Sequence, residues 1–272
     1  MSEENIYQTP DANLVDNNNV GLDLAPTTIN SLSAMEGISW IKNGFGLFKK
    51  SPMIWIALVI LYTVMLIVVS IIPIIGSLAA SLLYAVFVAG FMIGCAALEN
   101  RENLKIAHLF AGFKKNTGPL IGLGGLYLLI SVVLVIAIPV LIFGGAGGLE
   151  MLTDPESIDP ATFLAPGILL SLLVSFALLI FALLIPVAMA FWFAPALISL
   201  GNQSLANSIK MSFSGCLKNI LPFFIYGIAM MILAIIATIP LGLGWLVLMP
   251  VAIASIYSAY RAIFTASSLE PA

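Results

Sequence analysis

The side chains best placed to do chemistry in this sequence are its lysines, and that chemistry is the binding of anions. Lys42, Lys49 and Lys50 accompany Ile38, Ile41, Phe45 and Phe48, whose apolar side chains share one helical face. Lys114 and Lys115 follow Ile106, Leu109, Phe110 and Phe113, and Lys210 and Lys218 accompany Leu205, Ile209, Phe213 and Leu217. A short helix with this pattern lies in a membrane interface, its apolar face toward the acyl chains and its lysines among the headgroups. Each basic group near anionic lipid contributes about 1 kcal/mol. Lys42, Lys49, Lys50, Lys114, Lys115, Lys210, Lys218, Phe48 and Phe113 are therefore the candidate lipid-interface residues. The same apolar faces could instead pack on a bundle of helices or dock on a protein partner.

Little else invites a reaction. His108 is the sole histidine and stands on an amphipathic stretch beside Phe110, where it reads as an ordinary interfacial residue. Two cysteines, Cys95 and Cys216, cannot form a recognisable zinc motif with one histidine. Asp154, Glu156 and Asp159 lack the ligand density and the glycine of a calcium loop. No Gly-x-Ser-x-Gly, P-loop or His-Glu-x-x-His pattern occurs. No catalytic, cofactor-binding or metal-ligating residue is expected, and the chain does not read as an enzyme.

The elements that must position the lysines are membrane spans. Of 272 residues 61% are hydrophobic and 8% charged, whereas a soluble domain carries about 25% charged residues. A water-soluble fold could not hide that much apolar side chain, so lipid is the expected solvent. A hydrocarbon core about 30 Å thick requires roughly 20 apolar residues in a helix. Six stretches qualify, near 53–73, 77–98, 119–143, 166–192, 220–239 and 243–264. They are continuously apolar rather than alternating, which selects helices over barrel strands. None carries Asp, Glu, Lys or His inside its apolar span, and Arg261 sits in the last turn of the sixth. The absence argues against a proton- or sodium-coupled carrier of polar solutes.

The pieces recur. Each amphipathic stretch with its lysines leads to a proline (Pro52, Pro119, Pro222), then a span, then Ile-Pro (Ile72-Pro73, Ile138-Pro139, Ile239-Pro240), then a second span. Proline suits the first turn of a helix and its end. The expected fold is an all-α membrane protein of six transmembrane helices, arranged as three approximate hairpin repeats, each preceded by an interfacial amphipathic helix. Gly90 and Gly94, and Gly118 and Gly122 with Gly124 and Gly125, are expected to let neighbouring helices approach within the bundle. At the end of the fourth span, Phe191-Trp192-Phe193 before Pro195 reads as an aromatic belt with a helix stop. A sharper reading makes it a broken helix lining a cavity, because Pro186 and Pro195 both free backbone carbonyls.

Residues 1–36 hold six acidic residues, an Asn run and no Lys or Arg. They read as a disordered tail whose removal should leave insertion and folding intact. They have neither the basic n-region nor the apolar h-region of a signal peptide. The transmembrane domain is expected over 37–265, with a short tail at 266–272. All ten basic residues fall on one side of the six-span arrangement, whereas the longer opposite loop, about 144–165, carries Glu150, Asp154, Glu156 and Asp159. The positive-inside rule then places the basic side and both termini in the cytoplasm. The cysteines lie on that reducing side, so no disulfide is expected. Basic residues in ones and twos offer no nucleic-acid footprint.

Several strings of residues resemble an uncharacterised family of proteobacterial integral membrane proteins. They are Trp40-Ile41-Lys42-Asn43-Gly44 leading to Leu47-Phe48-Lys49-Lys50-Ser51-Pro52, and His108-Leu109-Phe110-Ala111-Gly112-Phe113. Further on come Trp192-Phe193-Ala194-Pro195-Ala196-Leu197, Pro222-Phe223-Phe224-Ile225-Tyr226-Gly227 and Tyr257-Ser258-Ala259-Tyr260-Arg261. The resemblance covers roughly residues 37–264 and implies the bacterial inner membrane, with no functional residues to transfer. A looser likeness links the chain to the membrane domain of some glycerophosphodiester phosphodiesterases, whose catalytic domain is absent here.

Three classes of function stay open. The leading one is a non-enzymatic inner-membrane protein that binds membrane lipids or a membrane protein partner. The alternative is a carrier or channel for an apolar or amphiphilic substrate, marked by a sizeable lateral cavity. An intramembrane enzyme is disfavoured, because no acid, base or nucleophile pair sits at membrane depth. The sequence specifies neither cofactor nor oligomeric state.

Overall fold

Helices begin and end where proline, polar residues and tight turns dictate. The computed structural model describes residues 24–26, 28–144, 170, 173, 174, 176–178 and 180–265. The first amphipathic stretch forms α1 (Glu36–Lys50). Pro52 opens α2 (Pro52–Ser70), and a turn around Pro73 leads into α3 (Ile75–Glu99). The second amphipathic stretch, Ile106–Phe113, is a 3-10 helix, and α4 (Thr117–Gly144) follows it. The fourth span comprises a π-helical turn at Ile180–Leu184, then α5 (Ile185–Trp192) and α6 (Ala194–Ser199). The third amphipathic stretch is α7 (Leu205–Lys218), whose first turn is capped by the Ser204 hydroxyl accepting from the Asn207 N–H. It leads to α8 (Ile220–Thr238) and α9 (Trp245–Phe264).

Among the described residues six helical stretches, counting the interrupted fourth span as one, are long and apolar enough to cross a bilayer. Two are central: half of the α3 window and 61% of the α9 window are buried, against 12–17% in the other four. Among the described residues no strand occurs. The core gathers around Trp40, Trp55, Met92, Tyr257, Tyr260 and Phe264, toward the end of the bundle that carries the lysines. Nearer the opposite turns, Ile67, Ile71, Ile74, Ile239 and Leu241 are all exposed. Outward apolar side chains of that kind need hydrocarbon rather than water around them.

Close backbone approach fixes the first helix. A methyl group added at Gly44 would lie 2.7 Å from both the Val251 carbonyl oxygen and the Ser255 nitrogen. No side chain other than hydrogen therefore fits where α1 crosses α9. Gly90 meets the His108 and Leu109 carbonyls in the same way, seating the 3-10 helix on α3. Packing within the chain thus accounts for Gly90, Gly94 and Gly124, while Gly118 has nothing close to it.

The structure corrects three expectations. Residues 24–26 and 28–35 are not a loose tail, since the chain there is strapped across α7 and α9. The Asn30 N–H donates to the Ile263 carbonyl at 2.8 Å, and the Asn30 amide to the Ala262 and Thr265 carbonyls. Buried Asn219 accepts from the Leu32 N–H at 2.9 Å and donates to the Asn30 carbonyl. Asparagine supplies a donor and an acceptor, and composition alone does not reveal that both are used. Secondly, Ile138-Pro139 does not mark a helix end as Ile72-Pro73 and Ile239-Pro240 do, since α4 runs on to Gly144, next to the expected bound at 143. Thirdly, α1 turns Trp40, Leu47 and Phe48 into the bundle against α8 and α9, not down into headgroups. The expected loop at about 144–165, residues 1–23 and 266–272 lie outside the described residues.

The fourth span breaks for a visible reason. The Phe193 N–H, which would continue the helix by bonding to Met189, donates instead to the Ser212 hydroxyl at 2.9 Å. That hydroxyl donates to the Met189 carbonyl at 2.7 Å. Ser212 of α7 is thereby inserted into the hydrogen-bond ladder, a recognised cause of a kink, and Pro195 restarts the helix as α6.

Candidate functional site

The lysine-bearing end of the bundle contains a cavity of about 320 Å³ between α1, the end of α3 and the end of α9. Helix periodicity assembles it. Lys42, Gly46 and Lys50 recur every four residues and so line one face of α1, and Tyr257 and Arg261 do the same on α9. Glu99, the last residue of α3, completes the wall.

Three cations and one carboxylate line this cavity. Arg261 is only 6% exposed, and its Nη1 lies 3.5 Å from Glu99 Oε2. The Tyr257 hydroxyl donates to the same carboxylate oxygen. Lys50 donates to the Leu98 carbonyl at 3.0 Å, at the C-terminal end of α3 where a positive charge is favoured. Its ammonium keeps two further N–H donors. The Arg261 Nε and Nη1 have no hydrogen-bond partner among the described residues. A buried donor left without a hydrogen bond costs about 1–3 kcal/mol, and the Glu99 charge offsets part of that for Arg261.

The other sequence-derived candidates are spread around the same end. Lys49 is exposed and lies 5.2 Å from the Phe45 ring centroid. Lys114, Lys115 and Lys210 are exposed, and Lys218 donates to the Ile29 carbonyl at 2.7 Å. Phe48 is 7% exposed and belongs to the core, while Phe113 is 40% exposed and meets Phe87 edge-on. Of the nine candidates, Lys42 and Lys50 line the cavity. Glu99 and Tyr257 were not singled out as site residues by sequence reasoning. A signal was present, since Glu99 and Arg261 are the charged residues that close two otherwise uncharged spans.

The remaining reactive groups are quiet. His108 Nδ1 accepts from the Lys105 N–H at 3.1 Å, and burial, followed by the nearby Lys105 charge, lowers its pKa. Cys95 and Cys216 are free and buried, and burial pushes the Cys216 thiol up to about 12, far from thiolate reactivity. Among the described residues no group of three His, Cys, Asp or Glu side chains converges.

Beyond the cavity, two apolar grooves open on the flanks. One, of about 440 Å³, lies between α1, α8 and α9, and the other, of about 400 Å³, lies beside the broken fourth span.

The chain is 30% identical over 258 residues to a probable inner membrane protein from Burkholderia thailandensis, an alignment covering 86% of this chain and 92% of that protein. No family model matches the chain, and no solved structure matches it. Nothing in these comparisons carries the looser likeness to the phosphodiesterase membrane domain.

Proposed function

Because the chain belongs to the family of that Burkholderia thailandensis inner membrane protein, we propose that it binds anionic membrane lipid through its basic end and is not an enzyme. The observation that carries this reading is the cavity lined by Lys42, Lys50 and Arg261 with a single carboxylate, Glu99. In this reading the basic end and both termini are cytoplasmic, since all ten basic residues fall on that side. The bundle is three hairpins, each introduced by a lysine-bearing helix at the cytoplasmic leaflet. The exposed Lys49, Lys114, Lys115 and Lys210 then sit at headgroup depth, where they add long-range attraction.

Thermal unfolding in lipid nanodiscs tests the proposal. A lipid that binds the folded state alone raises the midpoint by mass action. The midpoint should be higher in phosphatidylglycerol than in phosphatidylcholine, and the difference should shrink as salt is added. Equal midpoints in the two lipids at low salt would remove the lipid-binding reading.

A carrier of apolar or amphiphilic molecules is the second reading, and one feature favours it. The kink held open by Ser212 lies against the groove lined by Met189, Trp192 and Phe223. Broken helices at such grooves are a common device of transporters.

A further inference from the structure

Lys42 stands where two cavities of opposite character meet. It lines the cationic cavity with Lys50 and Arg261, and it also lines the groove between α1, α8 and α9. Apart from Lys42, that groove is walled entirely by apolar residues, among them Phe45, Ile236, Val247 and Val251. Its volume of about 440 Å³ falls within the range of about 300–1,000 Å³ usual for ligand pockets.

The two cavities are arranged along one direction. Gly244, at the start of α9, lines the apolar groove, and Arg261, near its end, lines the cationic cavity. A helix rising 1.5 Å per residue separates them by about 25 Å. One leaflet with its headgroups is about 20 Å thick, so a single lipid could reach both. The charge pattern matches that occupant. The Lys50 donors left over and the excess of three cations over one carboxylate call for an oxyanion, and the groove below Lys42 offers only hydrocarbon contact. A free inorganic anion would leave the groove unused, and an uncharged lipid would leave three cations with the Glu99 carboxylate as the one anion lining their cavity.

We infer that Lys42, Lys50 and Arg261 form the headgroup site for one anionic amphiphile, a lipid phosphate, whose acyl chain lies in the groove between α1, α8 and α9. This rests on the lipid-binding reading and narrows it to one lipid at one place. Lys42 acts as the hinge between the two parts, with its stem along the groove and its ammonium at the phosphate.

The test is native mass spectrometry of the full chain in detergent, titrated with a long-chain monoacylglycerol phosphate. Parallel arms use the corresponding phosphocholine lipid, the uncharged monoacylglycerol and inorganic phosphate. One copy of the phosphate lipid should be retained, with affinity at least about tenfold above the phosphocholine and uncharged lipids. Losing a charge-assisted hydrogen bond is worth about 1.5–3 kcal/mol, or roughly tenfold and more. Lys42→Gln and Lys50→Gln should therefore each weaken retention about tenfold or further. Exposed Lys105, which lines neither cavity, supplies the control, and Lys105→Gln should bind as the wild type does. Val247→Trp, which fills the groove, should weaken the long-chain lipid and leave any binding of inorganic phosphate unchanged. If inorganic phosphate competes as well as the lipid, the groove has no role and the amphiphile assignment fails. If Lys105→Gln weakens binding as much as Lys50→Gln, general surface charge is responsible. The pocket is then wrong while the broader lipid-binding reading stands. Absence of any preference for anionic lipid would remove both.

Discussion

Phe48→Asp should unfold the protein at a temperature far below that of the wild type, while Lys49→Gln should leave the midpoint close to the wild-type value. The two residues are adjacent in sequence and opposite in environment. Phe48 is 7% exposed within the core formed by α1, α2, α3, α8 and α9, and its ring lies beside that of Phe45. Removing a buried phenylalanine costs about 3–5 kcal/mol, and the aspartate adds a buried charge with nothing to pair it. Lys49 is exposed and contributes a cation–π contact at an exposed site, worth about 0.5–1 kcal/mol. Phe113→Asp should fall between the two, because Phe113 keeps 40% of its surface exposed within the chain and loses one edge-on contact with Phe87. The comparison is made by thermal unfolding in nanodiscs. An aspartate variant at Phe48 that melts with the wild type would mean α1 is not packed on the bundle. Its apolar face would then be free for a protein partner.

Deleting residues 1–34 should produce the second large loss, on the order of 4 kcal/mol or more. The strap places Leu24, Ile29 and Leu32 against the core and makes a dense set of hydrogen bonds. The Tyr260 hydroxyl donates to the Leu24 carbonyl at 2.6 Å, Lys218 to the Ile29 carbonyl, and Asn30 and Asn219 bind each other's segments. Each such bond contributes about 0.5–1.5 kcal/mol net, and a buried group left unpaired costs about 1–3 kcal/mol. Asn219 is 1% exposed beneath the strap, and truncation would remove both of its partners there, the Leu32 N–H and the Asn30 carbonyl. The single substitution Asn219→Leu isolates this part, since it leaves the Leu32 N–H and the Asn30 carbonyl without their partner. It should lower stability by about 2 kcal/mol. Truncated protein that melts at the wild-type temperature would restore the view of residues 1–34 as a dispensable tail.

What was legible in the sequence was whatever depends on composition and periodicity. The six spans follow from long apolar runs, and α1, the 3-10 helix and α7 follow from apolar residues recurring on one face with lysines nearby. Proline placed the starts of α2, α4 and α8 to within a few residues. Periodicity could not say what each apolar face would meet. Phe45 and Phe48 belong to one stripe, yet Phe48 is buried and Phe45 is 44% exposed. Tertiary context decided the strap too. Its few apolar residues cannot build a core, but Leu24, Ile29 and Leu32 can join one that α7 and α9 already form. The cationic cavity was half legible. Lys42 and Lys50 stood out as basic residues on an amphipathic helix, whereas Glu99 and Arg261 lie 162 positions apart and meet only through helix packing. Ser212, which opens the fourth span, gave no signal at all, because a serine inserted into another helix's ladder looks like any other serine.

Whether the cationic cavity serves the cytoplasmic leaflet depends on which side of the membrane the basic end faces. A paired reporter measurement settles it most directly, with alkaline phosphatase and a fluorescent protein fused after Ala272 in one series and inserted near Asp154 in another. Ten basic residues fall on one side of the six spans, and the loop around Asp154 carries four acidic residues and no basic one. The positive-inside rule therefore predicts fluorescence without phosphatase activity for the fusion after Ala272, and phosphatase activity without fluorescence near Asp154. Both reporters active on the same face would contradict the six-span arrangement. The reverse assignment would place the cationic cavity in the outer leaflet and remove the cytoplasmic lipid site.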